Sequence, residues 1–203
     1  MKIITISREF GSGGRELGKR LADFTGYDYY DSEILAAVAE KCGMDANYVE
    51  TALSNHSWQD HAITFRSTLR SPAYLQSSAI HLLLEQKKVL REIAALGKDC
   101  IIVGRNADVI LEDCRPFNVF VCADMSRRCL ERSPEDEDLT EKELIRKIRQ
   151  IDKSRARTRE LIGGPAWGQR DAYHLTVNTT GWDIRELVPA VADFAERWSG
   201  GNK

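Results

Sequence analysis

A Gly-Ser-Gly-Gly run, Gly11 to Gly14, follows the apolar, β-branched stretch Ile3 to Ser7 and leads straight into the helix-forming segment Arg15-Glu16-Leu17. Small residues let the backbone of such a loop approach a ligand closely. Its N–H groups converge on one point, and the following helix places its positive dipole end beneath the same point. The chemistry this favours is anion binding, with Gly11, Ser12, Gly13, Gly14, Arg15 and Glu16 as candidate phosphate contacts. A literal G-x-x-x-x-G-K string from Gly13 to Lys19 is out of register: it lacks the following Ser or Thr and would begin the helix at Gly18, only about two turns before Gly26 must end it. Beginning the helix at Gly14 or Arg15 sets Leu17, Leu21 and Phe24 on one face. In that register Gly14 stands where a phosphate-binding loop carries its lysine, and Arg15 where it carries Ser or Thr. The missing charge must then come from Arg15, Arg8 or Lys19, and a metal ion must be held by phosphates, water and a carboxylate elsewhere. A dinucleotide loop, G-x-G-x-x-G, fails on spacing because Glu16 takes its last position.

Three further groupings fall just after strand-like runs, where open parallel sheets place their ligands. Tyr30-Asp31-Ser32 follows the aromatic stretch Tyr27 to Tyr30, Gly104-Arg105-Asn106-Ala107-Asp108 follows Ile101-Ile102-Val103, and Asn178-Thr179-Thr180-Gly181 follows Leu175-Thr176-Val177. Arg105 could grip phosphate oxygens with its planar fork, or form a structural ion pair with Asp31 or Asp108. On a basic helical stretch, Arg149, Asp152 and Arg155 share a face at i, i+3 spacing. There Asp152 could orient the guanidinium groups or accept hydrogen bonds from a base, while the arginines neutralise a phosphoryl group in transfer. The plainer alternative is an exposed helix laced with salt bridges. His56 and His61 lack the neighbours of a metal site and read as solvated.

The elements that must position these residues alternate. Strand-like runs at Lys2 to Ser7, Tyr27 to Tyr30, Cys100 to Val103, Asn118 to Cys122 and His174 to Val177 are separated by helical patterns, which predicts a parallel sheet with helices on both faces. Helix starts are marked by Asp45, by the capping box Thr140-Glu141-Lys142-Glu143 and by Asp183. Asn55 to Pro72 is polar and poorly periodic, as a loop or lid would be. The switch from the acidic Ser133 to Asp138 to the basic Lys142 to Arg159 suggests a hinged element.

With 203 residues, 42% hydrophobic and 30% charged, and a net charge of -2, the composition suits one soluble domain and argues against a general binder of nucleic acid or anionic membranes. Five scattered cysteines without C-x-x-C spacing indicate neither a disulfide framework nor zinc, so reduced thiols are expected. No leader or membrane-length apolar run is seen, and the expected location is cytoplasmic.

Taken together, Ile4-Thr5-Ile6-Ser7-Arg8-Glu9-Phe10-Gly11-Ser12-Gly13-Gly14-Arg15-Glu16, Tyr29-Tyr30-Asp31, Val103-Gly104-Arg105-Asn106-Ala107-Asp108, Asp152-Lys153-Ser154-Arg155-Ala156, Trp167-Gly168 and Asn178-Thr179 make the chain resemble the cytidylate kinase-like family, relatives of bacterial cytidylate kinase among the P-loop nucleoside monophosphate kinases. The resemblance implies a three-layer α/β/α fold on a central parallel five-stranded sheet. It also implies a single kinase-like domain over 1–203, with a monophosphate-binding flap around 31–98 and a lid around 127–172. The implied reaction moves the γ-phosphoryl group of a nucleoside triphosphate, with Mg2+, to a nucleoside monophosphate similar to CMP or dCMP. Arg15, Arg105, Arg149 and Arg155 would be catalytic. Arg8, Asp31, Arg105, Asn106, Asp108 and Asp152 would bind the acceptor, and no side chain is assigned to metal. The expected partners are small-molecule nucleotides rather than nucleic acid or membrane, with homo-oligomerisation left open. The departures matter too: the loop lysine is missing, the Tyr-Arg pair that would follow Asp31-Ser32 in cytidylate kinases is absent, Asn106 replaces the aspartate of their Gly-Arg-Asp segment, and Thr158 and Arg159 stand where related members carry a tyrosine pair. A kinase of a non-nucleotide metabolite, a nucleotide-binding regulator without catalysis and a partner-binding protein with a vestigial loop are the competing readings.

Overall fold

A computed structural model describes residues 1–45, 72–132 and 136–201. The stretch 55–71 expected as a loop or lid, the run after Asp45 and part of the 133–138 hinge lie outside the described residues. Strands β1 (Ile3–Arg8), β2 (Asp28–Tyr30), β3 (Cys100–Val103), β4 (Phe117–Cys122) and β5 (Leu175–Asn178) form one sheet in the order β2-β3-β1-β4-β5. Every neighbouring pair is parallel, with Ile4 opposite Ile101 and Phe117, and Val121 opposite Val177. Parallel strands need crossovers, and the helices supply them: α1 (Gly14–Thr25), α2 (Ser32–Cys42), α3 (Pro72–Ala95), α4 (Ala107–Ile110), α5 (Met125–Arg132), α6 (Glu141–Leu161) and α7 (Ile184–Gly201).

Alternation along the strands divides the core between two faces. Ile3, Cys100 and Ile102 pack with Ile34, Val38, Leu82 and Leu90 of α2 and α3, while Ile4, Ile6, Ile101, Val103 and Val119 pack with Leu17 and Leu21 of α1 and Val188 and Val191 of α7. These are the three layers that the resemblance implied.

The first helix begins at Gly14 and ends at a left-handed Gly26, as its spacing predicts. One expectation fails here. Phe24 is 60% exposed, because the buried stripe runs through Gly14, Leu17, Gly18, Leu21 and Ala22. The small residues rotate that stripe so that Phe24 falls about 90° from its centre. They also let α1 lie close to the sheet: a Cβ on Gly18 would come within 2.6 Å of Val103 Cγ2. Thr140 caps α6 as expected, accepting from the Glu143 N–H while the Glu143 carboxylate accepts from the Thr140 N–H. No helix among the described residues is long and apolar enough to cross a membrane.

Candidate active site

The carboxyl ends of β1, β2 and β3 bring the Gly loop, Asp31 and Gly104-Arg105 together. Gly11 and Gly13 take positive φ, 79° and 76°, and turn the chain from β1 into α1. The first intrahelical bond of α1 runs from Leu17 N–H to the Gly13 carbonyl at 2.9 Å, so the N–H groups of Gly14, Arg15 and Glu16 precede it at the positive end of the helix. Ser12 is spent differently from expectation. Its buried hydroxyl donates to the carbonyls of Glu9 (2.8 Å) and Val121 (3.1 Å), its N–H donates to Glu9 O (3.3 Å), and its own carbonyl accepts from Thr179 Oγ1 (2.8 Å). It staples the loop to β4 and β5. The Glu16 side chain lies outward and pairs with Arg20 at 2.6 Å, which leaves only its N–H for an anion.

Asp31, 2% exposed, is the focus of the basic groups. Arg15 Nε lies 2.5 Å from one oxygen and Arg8 Nη2 lies 3.4 Å from the other. Arg105 is presented by a tight turn in which Gly104, Arg105 and Asn106 all have positive φ, 77°, 60° and 54°. For Arg105 that backbone is strained, on the order of 1–3 kcal/mol, and such strain clusters at functional sites. The turn is held by the buried Gln86 of α3, whose amide donates to the Arg105 carbonyl at 3.0 Å, and by Gly104 N–H on Ile6 O at 2.9 Å. Burial, then the charge of Arg155, pushes Arg8 below its ordinary value, with Arg105 and Arg15 adding to the shift and Asp31 opposing it. Arg155 shifts down for the same first reason, burial, against the pull of Asp152 and with Arg105, Arg128 and Arg15 adding. Arginine stays charged in proteins, so these directions record first the cost of burying a guanidinium and second the repulsion of its neighbours.

Helix α6 rests on the loop. Asp152 accepts from the Phe10 N–H at 2.8 Å, and Arg155 Nη1 donates to the Arg8 carbonyl at 2.8 Å while lying 3.6 Å from Asp152. The main partner of Asp152 is Arg128 of α5, which the sequence reading missed. Buried Arg128 donates from Nε to the Phe10 carbonyl at 2.7 Å, pairs with Asp152 through Nη2 and lies 3.5 Å from Glu9. Arg132 and Arg155 stand over the Phe10 ring at 4.5 and 5.5 Å. The Arg127-Arg128 pair was the one signal for this in the sequence, and it looks like any solvated basic helix.

Two of the expected site residues lie elsewhere. Asp108, expected to contact the acceptor, is buried against Arg159 at 2.7 Å and is a structural partner there. The ion pairs of Asp31 and Asp108 are with Arg8, Arg15 and Arg159. Arg149 is exposed on α6, and no hydrogen bond or ion pair is formed by its side chain among the described residues. Asn106 begins α4 through its carbonyl, which accepts from Ile110 N–H at 3.0 Å.

A metal ion finds no ready set of ligands: among the described residues no three His, Cys, Asp or Glu side chains converge, and Glu9, Asp31 and Asp152 face arginines. All five cysteines are free thiols.

A parallel sheet with a glycine loop after its first strand and arginine-bearing helices packed on that loop has the architecture of a P-loop kinase fold. The chain belongs to the cytidylate kinase-like family, whose model matches residues 3–181. No curated protein matches it. Among solved structures, it is similar to an uncharacterized protein from Eubacterium ventriosum ATCC 27560, at 22% identity and TM-score 0.69 over 97% of this chain and 99% of that one. It is also similar to shikimate kinase from Acinetobacter baumannii in complex with shikimate, at 13% identity and TM-score 0.56 over 100% of this chain and 96% of that one. Shikimate kinase from Bacteroides thetaiotaomicron aligns at 14% identity and TM-score 0.57 over 96% and 98%.

Proposed function

We propose that this protein transfers the γ-phosphoryl group of a nucleoside triphosphate to a nucleoside monophosphate similar to CMP or dCMP. The observation that carries this reading is the placement of Arg8 and Arg15 on the buried Asp31, with Arg155 on the Arg8 carbonyl and Arg105 in the adjacent strained turn, beside a glycine loop that can receive phosphate. In this reading the donor phosphates lie on the N–H groups from Gly11 to Glu16, and the acceptor phosphate lies toward Asp31 and Arg105. An acceptor oxygen attacks the γ-phosphorus, the bond to the β–γ bridging oxygen breaks, and the diphosphate leaves with that electron pair. Charge on the transferring group is met by the arginines, so the protein supplies position and electrostatics. The nearby carboxylates are engaged with arginines, so phosphate oxygens and water, rather than side chains of this chain, would hold a magnesium ion, which would supply charge neutralisation at the phosphates.

A second reading is a kinase of a small non-nucleotide metabolite. It is favoured by the amide of Asn106 in place of an acceptor-binding carboxylate and by the likeness in fold to a kinase crystallised with shikimate. A nucleotide-binding regulator is the third. The deciding experiment supplies magnesium and ATP with CMP, dCMP, UMP, AMP, GMP, shikimate or no acceptor, and quantifies each phosphorylated product. One diphosphate well above the others supports the proposal and names its base. Phosphorylated shikimate supports the second reading, and ATP binding without any product supports the regulator.

A further inference from the structure

We infer that Arg8 replaces the missing loop lysine, and that it can do so because residue 14 is glycine. The inference rests on the triphosphate site proposed above and identifies the cation that serves it. Gly14 occupies the lysine position of the loop register and is the first residue of α1. A Cβ built on Gly14 would come 2.6 Å from Arg8 Cβ, 3.1 Å from Arg8 Cγ and 3.3 Å from Val121 Cβ. The space into which a side chain at position 14 would grow is therefore already filled by the stem of Arg8. A side chain entering from β1 has taken the route that a lysine would take from α1.

The far end of Arg8 reaches the ligand end of the sheet. Its guanidinium lies against Gly104, where an added Cβ would overlap Nη1, and Nη2 is 3.4 Å from Asp31. The guanidinium thus fills the space beside Gly104, whose positive φ of 77° itself favours glycine, and sits between the Gly loop and the Arg105 turn, where a phosphoryl group would pass. The two other candidates for the replacement are placed less well. Arg15 is 65% exposed with its Nε on Asp31, and Lys19 is exposed more than a turn further along α1. Arg8 alone is 13% exposed and threaded between loop and sheet. Its backbone is fixed as well, since its carbonyl accepts from Arg155 at 2.8 Å.

The exchange makes a reciprocal demand: an arginine at position 8 excludes a side chain at 14, and a lysine at 14 requires a small residue at 8. A double-mutant cycle on the full chain tests this, using Arg8→Gly, Gly14→Lys and the combination, with Arg8→Gln as a variant that keeps most of the stem and removes the charge. The thermal midpoint is read without ligand, and Mg-ATP affinity by calorimetry. Gly14→Lys alone should lower the midpoint by several degrees, and adding Arg8→Gly should restore most of it. Arg8→Gln should weaken Mg-ATP binding about tenfold or more, the scale of one charge-assisted hydrogen bond, and the double variant should bind more tightly than Arg8→Gly. Independent midpoints for the two single changes, or Mg-ATP affinity unchanged by Arg8→Gln, would overturn the inference while leaving the triphosphate site standing. A folded wild-type protein that binds no Mg-ATP overturns the site itself, and with it the charge role of Arg8.

Discussion

At the level of single residues, the arginines divide into those gathered at the Gly loop and those buried against a structural carboxylate. Arg159 is 1% exposed, lies 2.7 Å from Asp108, donates to Pro165 O at 2.7 Å and stands 5.3 Å over Tyr173. Both Asp108 oxygens are buried without a well-angled hydrogen bond, so the attraction rests on charge alone. Replacing Asp108 by Asn strands a buried guanidinium and should cost about 3–5 kcal/mol in urea unfolding, whereas the pair Asp108→Leu with Arg159→Met should recover much of that loss. Arg128 holds α5 and α6 to the loop, and Arg128→Ala takes from Asp152, Glu9 and the Phe10 carbonyl the buried guanidinium they share. The expected result is a stability loss of about 3 kcal/mol and a fall in turnover, with Asp152→Ala adding little to the double variant because the two act as a unit.

At the level of elements, local signals govern where helices begin and tertiary contacts govern which face they show. The Thr140 capping box is local and exposed, so Thr140→Ala should lower stability by about 1 kcal/mol, read as a shift of the urea midpoint without a change in slope. The contact between β4, β5 and α7 is not local. His174 Nδ1 accepts from the Asn118 N–H at 2.9 Å, and its ring lies 5.8 Å from Phe117 and 3.8 Å from Trp198. Burial moves its pKa below the usual 6.5, so the unfolded chain binds the proton more readily. Stability from this group is therefore complete above about pH 6.5 and declines as pH falls below it, and His174→Gln should flatten that part of the pH profile. Sequence reading located all five strands and the capping box because period and cap chemistry are written in adjacent residues. It missed Gln86 and Arg128, whose partners Arg105 and Phe10 are far away in the chain, and it overvalued Arg149. Spacing on α6 correctly joined Asp152 to Arg155, but only the docking of α5 decides that Arg128, and not Arg149, completes the group.

At the level of the whole molecule, charge is distributed against the average. The chain carries a net charge of -2, yet Arg8, Arg15, Arg105, Arg128 and Arg155 cluster at one end of the sheet around Asp31 and Asp152. Folding has to hold those like charges together, and α6 takes part in this because Asp152 and Arg155 bond to the loop backbone. An anion that binds only the native protein must then raise its stability by mass action, about 2.7 kcal/mol at a hundred times its Kd. For a chain of this length that corresponds to roughly a 5–10 °C rise in the unfolding midpoint. Pyrophosphate and triphosphate should produce this rise where chloride at equal ionic strength does not, because general screening acts on every charge while a bound polyanion spans the loop N–H groups and several guanidiniums at once. Asp31→Asn should change the response in a characteristic way. Removing the carboxylate that now balances Arg8 and Arg15 lowers the midpoint without ligand and enlarges the rise that pyrophosphate gives, since the anion then meets a charge that no internal partner offsets. A midpoint that responds equally to pyrophosphate and to chloride would mean that the arginines serve the fold and not a ligand.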